Sequence, residues 1–288
     1  MLMHRNIYDY SPAYGKLSQG SIINGCIAEE FPNQEVFGLV ITPRCDLSHK
    51  GKVSTVHYLP VVPFDLWFDK IAKPIIKERW KKKLICQLNT NFCNAKIGVN
   101  VMDAEFTYED LCRITEQRVS NTKIRIAIKE SLDAYFEKDS KAFDNYLLKC
   151  DVAMNHGHEM LDLLRSLFNN SMHAFYLIEG WKDYGVDKHL VVMLRDVRHI
   201  EYNVAHKIGN GSEESMLGLR DNTHNDLFLT SKKDNFYYVQ ALIASPFIEH
   251  IMEFFVYNFN RIGVEDRSCN TLELLNESAK NTIKSIVR

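Results

Sequence analysis

The densest chemistry in the chain lies in Gly38-Leu39-Val40-Ile41-Thr42-Pro43-Arg44-Cys45-Asp46-Leu47. An apolar run ends there in a polar, reactive cluster. A guanidinium beside a thiol favours the thiolate, which is the nucleophilic form. Cys45, Asp46 and His49 are therefore candidate catalytic residues, and His57 is a second candidate base. The competing reading is a strand-end turn with a packed thiol and an aspartate that binds the following backbone. A metal version would use Cys45, His49 and His57, with Asp46 as ligand or support. That spacing fits no standard zinc site, so neither a metal nor another cofactor is expected.

The sharpest charge feature is Lys77-Glu78-Arg79-Trp80-Lys81-Lys82-Lys83. Residues 65–98 carry a net charge of +5, and residues 99–171 carry −4. Candidate binding residues are Arg44, Lys77, Arg79, Trp80, Lys81, Lys82, Lys83 and Arg198. In one reading the cations contact phosphate and Trp80 stacks on a base. In the other, the run is a helix face turned to its own acidic neighbour, with Trp80 inward. Arg195-Asp196-Val197-Arg198-His199 reads as part of a strand, with Asp196 and Arg198 on one face. That face either lines a binding surface or holds a cross-strand ion pair. His156-Gly157-His158-Glu159 resembles a metal cluster, but residues two apart do not share a helix face, so it reads as a helix junction. P-loop, GxGxxG, GxSxG, HExxH and kinase patterns are absent, which leaves nucleotide hydrolysis, dehydrogenase and standard hydrolase chemistry without support.

These residues must be positioned by elements whose boundaries the breakers mark. Six of the seven prolines lie at or before Pro74, and glycine is absent from 99–156. A stretch without either breaker permits long helices. Short β-branched and aromatic runs flank it. Strands are expected over 21–28, 36–42, 53–62, 174–179, 190–200, 227–230 and 236–244. Thr107-x-x-Asp110 fits a capping box, and Ile128, Leu132, Tyr135 and Phe136 follow helix spacing. Asp139-Ser140 is a natural cap for a stripe of Phe143, Leu147, Cys150 and Met154. Met160, Leu163, Leu164, Leu167 and Phe168 form a further stripe. Ser245-Pro246 reads as cap and first residue of a helix that stops at Gly263. A terminal helix is expected over 271–287.

The blocks predict an α+β fold. Residues 1–64 and 172–263 would form one small antiparallel SH3-like barrel, because three strands alone make a poor domain. Residues 65–171 would be a helical insertion, and 264–288 a C-terminal helix. With 288 residues, 45% apolar, 25% charged and a net charge of −2, the chain has the profile of a globular protein and not of a generic basic DNA coat. Residues 240–259 are interrupted by Glu249, His250 and Glu253, so no membrane span is expected. Residues 1–14 lack an apolar core like that of a leader, and a cytoplasmic location is expected. The seven cysteines include no C-x-x-C pair and read mostly as buried reduced thiols.

Two segments resemble a mostly uncharacterised bacterial family. Residues 38–53 resemble its strand–turn pattern with a Thr/Ser-x-x-Cys-Asp motif. Residues 241–264 resemble its closing helix, through Ser245-Pro246, Glu249-His250, Phe255, Phe259, Arg261 and Gly263. The resemblance implies a barrel distantly similar to the MazF/PemK type, often carried on defence or mobile loci. The full MazF-type catalytic set is not found, so ribonuclease activity does not carry over. The resulting expectation is a non-catalytic binding or regulatory component of such a system. It would recognise a ligand near Arg44, Cys45 and Asp46, and a protein from a neighbouring gene or a nucleic acid through the helical block; oligomerisation is open. The alternative is a nuclease or Cys-dependent hydrolase working at Cys45 with His49 or His57.

Overall fold

Continuous apolar runs such as VFGLV and LPVV suit strands buried on both faces. In the computed structural model they form the centre of an antiparallel sheet. The structure describes residues 7–9, 17–34, 36–49, 51–101, 106–149, 159–183, 186–219, 225–227 and 236–259. The N-terminal strands are β1 (Tyr8–Asp9), β2 (Ser21–Cys26), β3 (Val36–Val40) and β4 (Thr55–Pro63). Later strands are β5 (Phe175–Asp183), β6 (Val186–Met193), β7 (Arg198–Glu201), β8 (Ser212–Glu213), β9 (Phe236–Tyr237) and β10 (Val239–Ile243). The sheet runs β1-β10-β2-β3-β4-β6-β5, with β7 also paired to β4. It curls into an antiparallel half-barrel built from strands of both halves of the chain. β8 and β9 form a separate pair.

Helices cover both faces. The helical elements are α1 (Arg44–Leu47), α2 (Phe64–Trp67), a π-helical turn (Phe68–Ala72), α3 (Lys73–Asn94), α4 (Tyr108–Arg118), α5 (Thr122–Tyr135) and α6 (Ala142–Leu148). They continue with α7 (Glu159–Phe168), α8 (Tyr202–Gly209), α9 (Glu214–Leu217) and α10 (Phe247–Phe259). On one face Val40, Val56, Tyr58, Val62 and Val191 join Trp67, Ile76, Leu163, Leu167, Val204 and Ile208. On the other, Leu39, Ile41, Leu59, Val61 and Val192 join Ile248 and Ile251 of α10. Alternation along each strand assigns the side chains to these two layers. Each fully buried aliphatic side chain contributes about 1.5–3 kcal/mol. Leu88, Phe92, Leu111, Ile128 and Leu132 form a third cluster among α3, α4 and α5.

β4 organises the sheet. Along one edge it pairs with β3 (Phe37 to Val40 against Val61 to Tyr58). Along the other it pairs with β7 through Thr55 to Tyr58 and with β6 through Val61 to Pro63. Two partners on one edge demand a break between them. The strand expected over 190–200 is therefore two strands, separated by a turn at Leu194 to Val197 in which Asp196 N donates to Met193 O. The strand expected over 236–244 also divides, because Asn24 intercepts it. Its amide donates to Phe236 O and its carbonyl accepts from Tyr238 N, both at 2.8 Å.

Local signals place the helix starts. Thr107 and Asp110 make the reciprocal capping box. Asp139 accepts from Lys141 N, and α6 starts at Ala142. α10 starts one residue later than expected. Ser245-Pro246 is a cis peptide in a turn, and Pro246 O accepts the bond from His250 N. Of the cysteines, Cys26 is buried and Cys112 half-buried, whereas Cys45, Cys86 and Cys93 are exposed; the expectation of mostly buried thiols does not hold among the described residues. Cys150, Met154, His156, Gly157, His158, Gly263 and the helix expected over 271–287 lie outside them, as does most of 227–230, of which Leu227 bridges to Cys26. Among the described residues no helix is long and apolar enough to cross a membrane.

Candidate functional site

The motif turn is built by its own backbone. Thr42 ends the strand region with its hydroxyl accepting from His57 N at 2.7 Å. Pro43 O then receives Asp46 N and Leu47 N, and Arg44 O receives Ser48 N, which closes α1. α8 anchors this turn, with Tyr202 Oη donating to Leu47 O at 3.1 Å.

Cys45 Sγ donates to Asp46 Oδ1 at 3.3 Å, and Lys52 Nζ pairs with the same oxygen at 2.5 Å. Lys52 first, and then the Cys45 bond, hold the Asp46 carboxyl below the usual range. His49 lies on the same turn but does not serve the thiol. Its Nδ1 sits 2.8 Å from Cys45 O and 3.0 Å from Ser48 Oγ. Cys45 and His49 are thus close in sequence and space, while the thiol's hydrogen-bond partner is a carboxylate. No group of three or more metal-ligating side chains occurs among the described residues.

α1 stands between two grooves. Asp46, Lys52 and His57 line one of about 690 Å³, walled by Val197 and by Met252 and Phe255 of α10. Arg44, Leu47 and Ser48 line another of about 920 Å³, walled by Tyr202, Asn203, His206 and Lys207 of α8 and by Leu17 and Ser18. Residues two apart on a short helical turn do not face each other, and α8 and α10 pack on opposite faces of the sheet. Asp46 and His57 therefore converge, and Arg44 is directed elsewhere. Cys45 lines neither groove.

A second polar cluster lies across the sheet. Buried Tyr58 donates its hydroxyl to Asp226 O and receives Ile27 N. Asp226 Oδ2 accepts from His199 N at 2.9 Å and lies 3.1 Å from His199 Nδ1. Burial pushes the Tyr58 phenol well above its usual range. Arg198 pairs with Asp196 at 2.5 Å and reaches Glu29 at 3.6 Å. The ion pair joins Asp196 in the turn to the start of β7. His57 and His199 are cross-strand partners with ring centres 6.5 Å apart.

The basic run occupies α3. Lys77 and Lys81 both grip Glu137, at 2.8 and 2.5 Å. Lys82 pairs with Glu78, and Lys83 with Glu159. Arg79 is exposed. Trp80 is buried, stacked on Tyr146 at 5.2–5.4 Å ring separations shared with Phe143. The four lysines face acidic neighbours on the chain itself.

Spacing alone missed Lys52, Tyr58, Asp226, Tyr202, His206 and Lys207. Lys52 had a weak signal, six residues beyond Asp46 across a glycine turn. The others arrive through long-range pairing and carry no motif. Comparison of the chain with protein-family models, curated proteins and solved structures gives no match.

Proposed function

We propose that this protein is a non-catalytic binding component, and that α1 is its recognition element. The observation that carries this reading is the partition of Arg44 and Asp46 into two grooves on either side of one exposed turn. A nucleophile needs a base within hydrogen-bond reach. Cys45 meets the Asp46 carboxylate, which Lys52 holds below the usual range and so makes a weaker base, and His49 is spent on backbone and Ser48. Grooves of several hundred cubic ångströms with a few fixed polar groups suit ligand or peptide recognition. The resemblance of 38–53 and 241–264 to a family carried on defence or mobile loci supports a regulatory role in such a system, with a partner encoded nearby.

The test is co-expression with the products of the adjacent genes and measurement of co-purification. Cys45→Ser retains the complex, while Arg44→Glu combined with Asp46→Lys loses it. Loss of the complex in Cys45→Ser, or its retention in the charge-reversed double variant, contradicts the reading.

A further inference from the structure

The geometry points to a mononucleotide site in the groove between α1 and α8, an assignment that rests on the binding reading and supplies its ligand class. Four groups on one side of α8 line this groove: Tyr202, Asn203, His206 and Lys207. Their positions, i, i+1, i+4 and i+5, lie on one helix face. Arg44 projects from the facing wall and forms no ion pair among the described residues. No described lining residue is a carboxylate, on a molecule whose net charge is −2.

The polar groups are held in different ways. Lys207 Nζ donates to Met216 O at 2.8 Å and Leu217 O at 3.0 Å, so two carbonyls fix it without neutralising it. An ammonium has three protons, and one remains for a ligand. His206 Nδ1 lies 3.2 Å from the Asn210 amide nitrogen, which leaves Nε2 as the ring's other polar atom. Arg44 supplies the planar fork that matches phosphate oxygens. The Asn203 amide adds a further donor.

The groove also has an apolar part. Leu17, Leu47 and buried Val56 line it. Tyr202 is tethered through its hydroxyl to Leu47 O, so its ring is fixed before any ligand arrives. A fixed aromatic ring suits a flat heterocycle. A space of about 920 Å³ falls at the upper end of ordinary small-ligand pockets. Cationic donors and a fixed ring with aliphatic neighbours in one groove fit a phosphate joined to a base. Inorganic phosphate would use only the donors, and a nucleoside only the ring and the aliphatic lining.

The experiment is calorimetric titration of the full chain with each of the four ribonucleoside 5′-monophosphates, with inorganic phosphate and with the matching nucleosides. At least one nucleotide binds roughly tenfold or more tightly than phosphate or its own nucleoside, as expected when two subsites act together. Arg44→Glu and Asn203→Asp each weaken it by about tenfold or more. Lys129→Ala, on α5 and outside the groove lining, leaves it unchanged. Thermal unfolding confirms that each variant is folded.

The assignment is overturned if no nucleotide binds below about 1 mM, an affinity near 4 kcal/mol. It is also overturned if Arg44→Glu and Asn203→Asp, both folded, bind as the parent does. Tighter binding of a 5′-phosphorylated oligonucleotide than of any mononucleotide overturns it in favour of a nucleic-acid end. Failed titration beside intact Arg44- and Asp46-dependent co-purification removes the nucleotide alone. Consumption of the nucleotide during titration instead removes the non-catalytic reading.

Discussion

Gly38 shows how one side chain, or its absence, sets the approach of three strands. A Cβ added there would lie 2.5 Å from Cys26 Sγ and 2.9 Å from a Tyr58 ring carbon. Neither neighbour is free to move, since Cys26 is fully buried and Tyr58 is tied to Asp226 and Ile27 through its hydroxyl. Gly38→Ala is expected to destabilise the fold by about 1–3 kcal/mol through overpacking, measured by chemical denaturation. An unchanged midpoint would show that the β2–β3–β4 packing is looser than described. Arg44-Cys45-Asp46 was legible as a reactive triplet because the residue types stand together in the sequence. The donor to Asp46, Lys52, and the separation of Arg44 from Asp46 follow only once Arg44–Leu47 is a helical turn, which the residue types alone do not declare.

Elements show which sequence signals act locally and which depend on distant pairing. The capping box at Thr107 needs only four consecutive residues and was readable. The break between β6 and β7 was not, because β4 imposes it by pairing with both strands. The basic run was visible as charge, but the partner of Lys77 and Lys81 lies at the end of α5, about sixty residues on. Those two lysines, Lys77 first, pull the Glu137 carboxyl down to about 2. Its folded value is depressed, so the clamp contributes fully above the ordinary carboxylate value and is lost as pH falls toward 2. Carboxyl NMR titration should return the low value in the parent. In the Lys77→Ala, Lys81→Ala variant it should return to the ordinary range; a value unaffected by removing both lysines would remove the clamp. Trp80 belongs to the same surface. Its burial against Tyr146 and Phe143 predicts that Trp80→Ala costs about 3–5 kcal/mol, seen as a lower unfolding midpoint. If stability is unchanged while RNA retention falls, the ring is a base-stacking platform instead.

At the scale of the whole molecule, the α+β class and the contribution of both halves of the chain to one sheet were readable from blocks of strands and helices. The helical layer on each sheet face was less so, because apolar runs report burial but not what covers them. The covering helices also complete the grooves: α8 walls one, and α10 the other. Residues more than 150 positions apart thus meet beside α1, and the site is a product of the fold more than of a motif. The partition leaves Cys45 on the rim, lining neither groove, with its thiol bonded to Asp46. The most direct test is the rate of Cys45 alkylation by iodoacetamide at pH 7, followed by mass spectrometry beside free cysteine. A recognition turn predicts a rate no greater than that of free cysteine. A rate about tenfold greater would reveal an activated nucleophile and contradict the binding account.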